Sequence, residues 1–107
     1  MTPPDTGPAE TIDLDAAALR LAALGQPTRL AIYRTLVRAA PHGCAVGDIQ
    51  TRTGIPQSTL SFHLRRLVEV GLVSQDRQGT TLLCRADAEA MSTTLGFLAR
   101  ECCADGC

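Results

Sequence analysis

Two helical stretches separated by three residues constrain this chain more than any other feature. From about Gln57 to Val70, apolar residues fall at Leu60, Leu64, Leu67 and Val68. That three-to-four-residue spacing puts them on one helical face. Just upstream, about Val46 to Thr53 reads as a shorter helix with Val46 and Ile49 as its apolar contacts. Gly54 suits the left-handed residue that ends it. Two helices joined by Gly54-Ile55-Pro56, the second one amphipathic, read as a helix-turn-helix.

The flanking segments extend that unit. Leu14, Ala17, Ala18, Leu21 and Leu24 share one face of a first helix that Gly25 ends. Pro27 suits the first turn of the next, where its missing N–H is not needed. That second helix is expected to carry Leu30, Tyr33, Leu36 and Val37 inward and to stop in the turn at 40–43. After Gly71, the extended runs 73–77 and 80–84 flank Gln78-Gly79, a hairpin signal. A hairpin straight after the second helix of such a unit makes it winged. Asp87 can cap a last helix, about Ala88 to Cys102, with Met91, Leu95, Leu98 and Cys102 along one stripe. The fold class expected is mostly α with a small β-hairpin (α+β), a winged helix-turn-helix. Residues 1–10 read as a flexible arm, 11–101 as the domain and 102–107 as a cysteine-rich tail.

With 107 residues and a net charge of -1, the chain has no overall basic character that would announce a polyanion. Its charge is unevenly placed, however. Residues 1–19 hold Asp5, Glu10, Asp13 and Asp15 and no basic residue, whereas 50–85 hold Arg52, Arg65, Arg66, Arg77 and Arg85 against Glu69 and Asp76. A local patch of this kind can serve as a nucleic-acid footprint. No run approaches the roughly 18 apolar residues of a membrane span. The first residues lack the basic and apolar regions of an export signal, so a cytoplasmic location is expected. An odd count of cysteines without an export signal argues against a disulfide scaffold and toward metal binding or redox sensing.

Three ordered blocks resemble the ArsR/SmtB family of metal-responsive repressors. They are Leu-Ala-Ala-Leu-Gly-Gln-Pro-Thr-Arg-Leu-Ala-Ile (21–32), Pro-Gln-Ser-Thr-Leu-Ser-Phe-His-Leu (56–64) and Glu-Val-Gly-Leu-Val (69–73). The resemblance implies a homodimer joined by its first and last helices and bound to double-stranded operator DNA of two-fold symmetry. It also implies a repressor, not an enzyme, that leaves DNA when an inducer binds. An enzyme has no other support, because no general base lies beside the thiols and no Gly-rich phosphate loop is present.

The patterning of the second helix names a DNA-reading surface. With Leu60, Leu64 and Leu67 turned to the core, Gln57, Ser58, Thr59, Ser61, Phe62, His63 and Arg65 are the candidates, joined by Arg77 on the hairpin. Short polar side chains in the first turn let a helix sit close in the major groove, where Gln pairs with adenine and Ser with either base type. Phe62 stands where the family commonly has His; it either meets a thymine methyl or packs between helix and wing. His63 reads as a satisfied surface or half-buried histidine, kept as a candidate contact.

The family's metal sites differ in where their ligands lie. Its zinc and nickel type uses carboxylates and histidines on the last helix, and here the two histidines are His42 and His63. Its best-known arsenic type has Cys-Val-Cys-Asp in the third helix, where this chain reads Ala45-Val46-Gly47-Asp48. The thiols cluster instead as Cys102, Cys103 and Cys107. Soft thiolates select soft ions, and As(III), with its lone pair, favours three of them in a pyramid. Gly106 can let the tail fold back to bring them together. As(III) is therefore the expected inducer, with Sb(III) or methylarsenite as alternatives. A thiol-based redox or reactive-sulfur sensor of the same fold is the other reading. Cys44 and Cys84 read as small apolar fillers.

Overall fold

Asp13 opens the first helix by accepting a hydrogen bond from the Ala16 N–H at 2.7 Å. The structure, a computed structural model, describes residues 12–106. The arm at 1–10 and Cys107 lie outside the described residues. Helix α1 (Leu14–Leu24) leads to α2 (Pro27–Arg38), where the Gln26 side chain caps the Arg29 N–H at 2.7 Å and proline occupies the first turn. A two-residue strand β1 (Cys44–Ala45) runs directly into α3 (Val46–Thr53). Gly54, at φ 71°, terminates α3 in the left-handed region that favours glycine. The amphipathic helix α4 (Gln57–Glu69) follows. Strands β2 (Val73–Gln78) and β3 (Thr81–Ala86) form the wing. Asp87 then caps α5 (Ala88–Ala99) through the Ala90 N–H at 3.0 Å.

The winged helix-turn-helix is therefore present, with five helices and a small sheet among the described residues. The sheet has three strands rather than two, in the antiparallel order β1-β3-β2. β1 is too short to leave a periodic signature, and its partners lie some forty residues away, Cys44 opposite Cys84 and Ala45 opposite Leu83. Gly43 makes that approach possible. It sits at φ 93°, and a Cβ there would lie 2.8 Å from the Cys84 carbonyl oxygen. The hairpin turn falls at Gly79-Thr80, one residue beyond the expected Gln78-Gly79, because Gln78 still pairs with Thr81.

Ile32, Leu36, Ile49, Leu60, Leu67 and Leu72 are fully buried and form the centre of the core. Several residues expected on the apolar faces point out, among them Val68 at the edge of the α4 stripe. Leu30 is 47% exposed, while Ile32, about 200° around α2, is fully buried. In α1 the small residues Ala17 and Ala23 face the body, which leaves Leu14 and Leu19 outside at 69% and 63% exposure. α5 is similar, with Leu95 and Leu98 exposed at 54% and 59%. Arg20 ties these parts together. Its Nε donates to the Val70 carbonyl at 2.9 Å, and its Nη1 to Thr94 Oγ1 at 3.3 Å.

Candidate nucleic-acid interface and thiol tail

Helix α4 begins straight after Pro56, whose backbone is extended, so its first-turn N–H groups face outward with no side-chain cap. Such a helix start favours phosphate. Gln57, Ser58, Thr59, Ser61, Phe62 and Arg65 are all exposed, as their offset from Leu60, Leu64 and Leu67 requires. They divide into stripes four residues apart. Gln57, Ser61 and Arg65 face the wing across a cleft of about 760 Å3. Arg77 and Gln75 of β2 line its opposite side, and Gln50 of α3 closes one end. Arginines thus reach the cleft from both walls, in a space open to solvent.

Phe62 lies on the neighbouring stripe, outside that cleft. It is 47% exposed, with the Arg66 guanidinium 5.6 Å from its ring centre. Of its two readings, packing between helix and wing is not met, because the half-exposed ring does not line the cleft between them and lies against Arg66 instead. Arg66 is itself held by Glu69 at 3.7 Å.

His63 is corrected more sharply. It is buried at 7% exposure and turned toward α2, where Arg29 Nε donates to its Nδ1 at 3.2 Å. Burial first, and then the neighbouring Arg29 charge, hold its pKa below the ordinary histidine value. With its Nδ1 accepting from an arginine inside the body, His63 stands apart from the exposed residues of α4 and is neither a surface nor a half-buried histidine. Arg29 also donates through Nη1 to the Ala23 carbonyl at 3.2 Å. The arginine of the 21–32 block is therefore an internal brace for α2 and α4.

Sequence reasoning passed over two features of this surface. Gln50 and Gln75 line the cleft, but a glutamine on a short helix or a wing strand carries no pattern of its own. Arg34, Arg38 and Arg52 converge with Thr35 on a smaller cavity of about 260 Å3 between α2 and α3. The four-residue spacing of Arg34 and Arg38 was a visible signal. Among the described residues no carboxylate lines that cavity, so its guanidinium groups can meet an anionic oxygen.

At the other end of the chain, α5 stops at Ala99, three residues before the expected Cys102. Cys102 therefore leaves the apolar stripe and is exposed, as is Cys103. The chain turns at Cys103, which has φ 65°, and again at Gly106, also at φ 65°. Left-handed backbone at a residue with a side chain is uncommon. Here it brings Cys102 Sγ and Cys103 Sγ to 3.3 Å. Two thiolates sharing one ion at near-right angles, with bonds of roughly 2.3 Å as for zinc–thiolate, lie about 3.3 Å apart. The separation is that of a thiol–thiol contact, and it is also compatible with both sulfurs meeting one soft ion. Cys107 lies outside the described residues, among which no group of three metal-ligating side chains occurs.

Known proteins share this architecture. Residues 24–76 match the family model described as a helix-turn-helix domain. The nodulation protein NolR of Rhizobium meliloti is 36% identical over 86 residues, which span 80% of this chain and 68% of that protein. The putative arsenical resistance operon repressor ArsR2 of Halobacterium salinarum is 34% identical over 76 residues, covering 68% of this chain and 63% of the relative. Among solved structures, the homodimeric winged helix-turn-helix DNA-binding domain of a possible ArsR-family regulator from Mycobacterium bovis aligns with a TM-score of 0.65. It is 32% identical, over 86% of this chain and 81% of that one.

Proposed function

This chain belongs to the ArsR/SmtB family of DNA-binding transcriptional regulators, and from that premise we propose that it is a homodimeric repressor released from its operator by As(III). The observation that carries the effector reading is the exposed Cys102–Cys103 pair, its sulfurs 3.3 Å apart just past the end of α5. Cys107 is the third thiolate, and Sb(III) and methylarsenite are the competing ligands. The arsenical resistance relative supports the same ligand class.

The dimer is joined through α1 and α5, which pack on each other and leave Leu14, Leu19, Leu95 and Leu98 bare. Fully burying a leucine is worth about 1.5–3 kcal/mol, so a two-fold face built from these side chains offsets much of the association cost of about 4–15 kcal/mol. Each protomer then presents one α4 to the major groove of a half-site, with Gln57 and Ser61 toward base edges. Arg65 and Arg77 meet phosphates or the minor groove from the two walls of the cleft, and Arg34, Arg38 and Arg52 meet the flanking backbone. The tail cysteines follow α5 directly, so an ion held there reshapes the end of a dimer helix and the spacing of the two α4 helices. Coupling is reciprocal, so the DNA-free dimer binds the ion more tightly than the DNA-bound one.

The test is an operator-release titration under a non-chelating reductant with arsenite, antimonite, methylarsenite and cadmium, repeated on Cys102→Ser, Cys103→Ser and Cys107→Ser. Release by arsenite that these variants lose supports the reading. Release only by oxidants or persulfides transfers the tail to redox or reactive-sulfur sensing. Unchanged arsenite response in all three variants removes the tail as the sensor.

A further inference from the structure

Forty residues apart in sequence, Cys44 and Cys84 are direct partners across β1 and β3, and Cys84 is in turn the partner of Gln75 on β2. Directly opposed residues put their side chains on the same face of a sheet. Cys44, Cys84 and Gln75 therefore form one row across all three strands. Both thiols are buried, at 4% and 0% exposure, and both are free. Gln75 is exposed, donates from Nε2 to Cys84 Sγ at 3.5 Å, and lines the cleft between α4 and the wing. The row thus runs from the cleft between α4 and the wing into the core, with Gln75 over the Cys84 thiol. β1 also passes without a break into α3, the first helix of the helix-turn-helix.

We propose that Cys44 and Cys84 form a second, internal dithiol site beneath the DNA cleft, which takes a monoalkylated trivalent arsenic species. Such a ligand needs two sulfurs, not three, because carbon already fills one coordination position. With methylarsonous acid, two S–H and two As–O bonds break while two As–S and two O–H bonds form. Two waters leave and arsenic stays trivalent, so neither oxidant nor reductant takes part. The bridged product is uncharged, as burial demands. Zinc is a poor match, since it wants four ligands and brings charge. A disulfide needs Cβ atoms about 3.5–4.5 Å apart, shorter than the roughly 4.5–5.5 Å of opposed strand residues; an arsenic atom between the sulfurs spans the wider gap. Capture displaces the Gln75 side chain from Cys84, changing the wall of the cleft that meets DNA. Nothing in this proposal uses Cys102 or Cys103, so it stands or falls apart from the tail.

The experiment uses the full chain with Cys102, Cys103 and Cys107 all changed to Ser, leaving Cys44 and Cys84 as its only thiols. Methylarsonous acid is added to the folded protein, then intact mass and free thiols are measured. The expected result is one methylarsenic group per chain and loss of both free thiols. Gln75→Ala should speed capture several-fold, and saturating operator DNA should slow it. The proposal is overturned if the folded variant captures nothing while the same protein in denaturant captures one equivalent. It is equally overturned if capture leaves one thiol free, or persists in a Cys84→Ala derivative that keeps its native circular dichroism.

Discussion

The α4–wing face and the α1–α5 face are both incomplete in a single chain, in opposite ways. The first is a polar cleft with Arg65 and Arg77 on facing walls. The second carries Leu14, Leu19, Leu95 and Leu98 at 54–69% exposure. An arginine-lined cleft is satisfied by a polyanion, an apolar face by another apolar face. Under the function proposed above, the contrast teaches that operator recognition and assembly use separate faces of one scaffold. Arg20 is the visible join, since it bonds from α1 to Val70 at the end of α4 and to Thr94 in α5.

The largest effect should come from the apolar face. Changing Leu95 and Leu98 together to Asp places charge where the partner's leucines would pack. Sedimentation should show a monomer, and anisotropy should show operator binding weakened by about 100-fold or more, the loss expected when two half-sites no longer act as one ligand. A dimer that persists would move the interface elsewhere and break the comparison. On the polar face, Arg77→Ala should flatten the slope of log affinity against log salt by about 0.9 for each phosphate that Arg77 neutralises. Ser61→Ala should cost about 1 kcal/mol, several-fold in affinity, with the salt slope unchanged. If Ser61→Ala instead alters the slope, the two residues do not divide base reading and phosphate binding between them.

The smallest effect concerns His63, which serves the body rather than either face. Its folded pKa lies below its ordinary value of 6.5. As pH falls through about 6.5, the unfolded chain takes up a proton that the folded ring resists, so stability declines toward the lower folded pKa and levels off beneath it. Denaturant titrations of His63→Gln across that window should show a flatter pH dependence than the parent. An identical profile would return His63 to the surface.

Much of the fold was legible because its signals are local. The stripe of Leu60, Leu64 and Leu67, the stop at Gly54 and the cap at Asp87 each involve residues within about a turn or two of one another. The exposed cleft residues of α4 followed by subtraction once that stripe was known. What did not follow was the direction of a side chain at the edge of the stripe. His63 and Phe62 are adjacent, yet Arg29 draws one inward and Arg66 sits over the other outside. Leu30 and Ile32 were exchanged for the same reason, because either could face a core whose position depends on α4.

Sequence by itself determined the order of helices, the stops of all but the last, the wing and the presence of a thiol cluster at 102–107. Chain geometry repeats every few residues, so short-range patterns encode these features. Tertiary structure alone decided that β1 exists, that Arg29 braces His63, and that two scattered cysteines share a row with a glutamine from the cleft. Those contacts join residues tens of positions apart, and no local period records them.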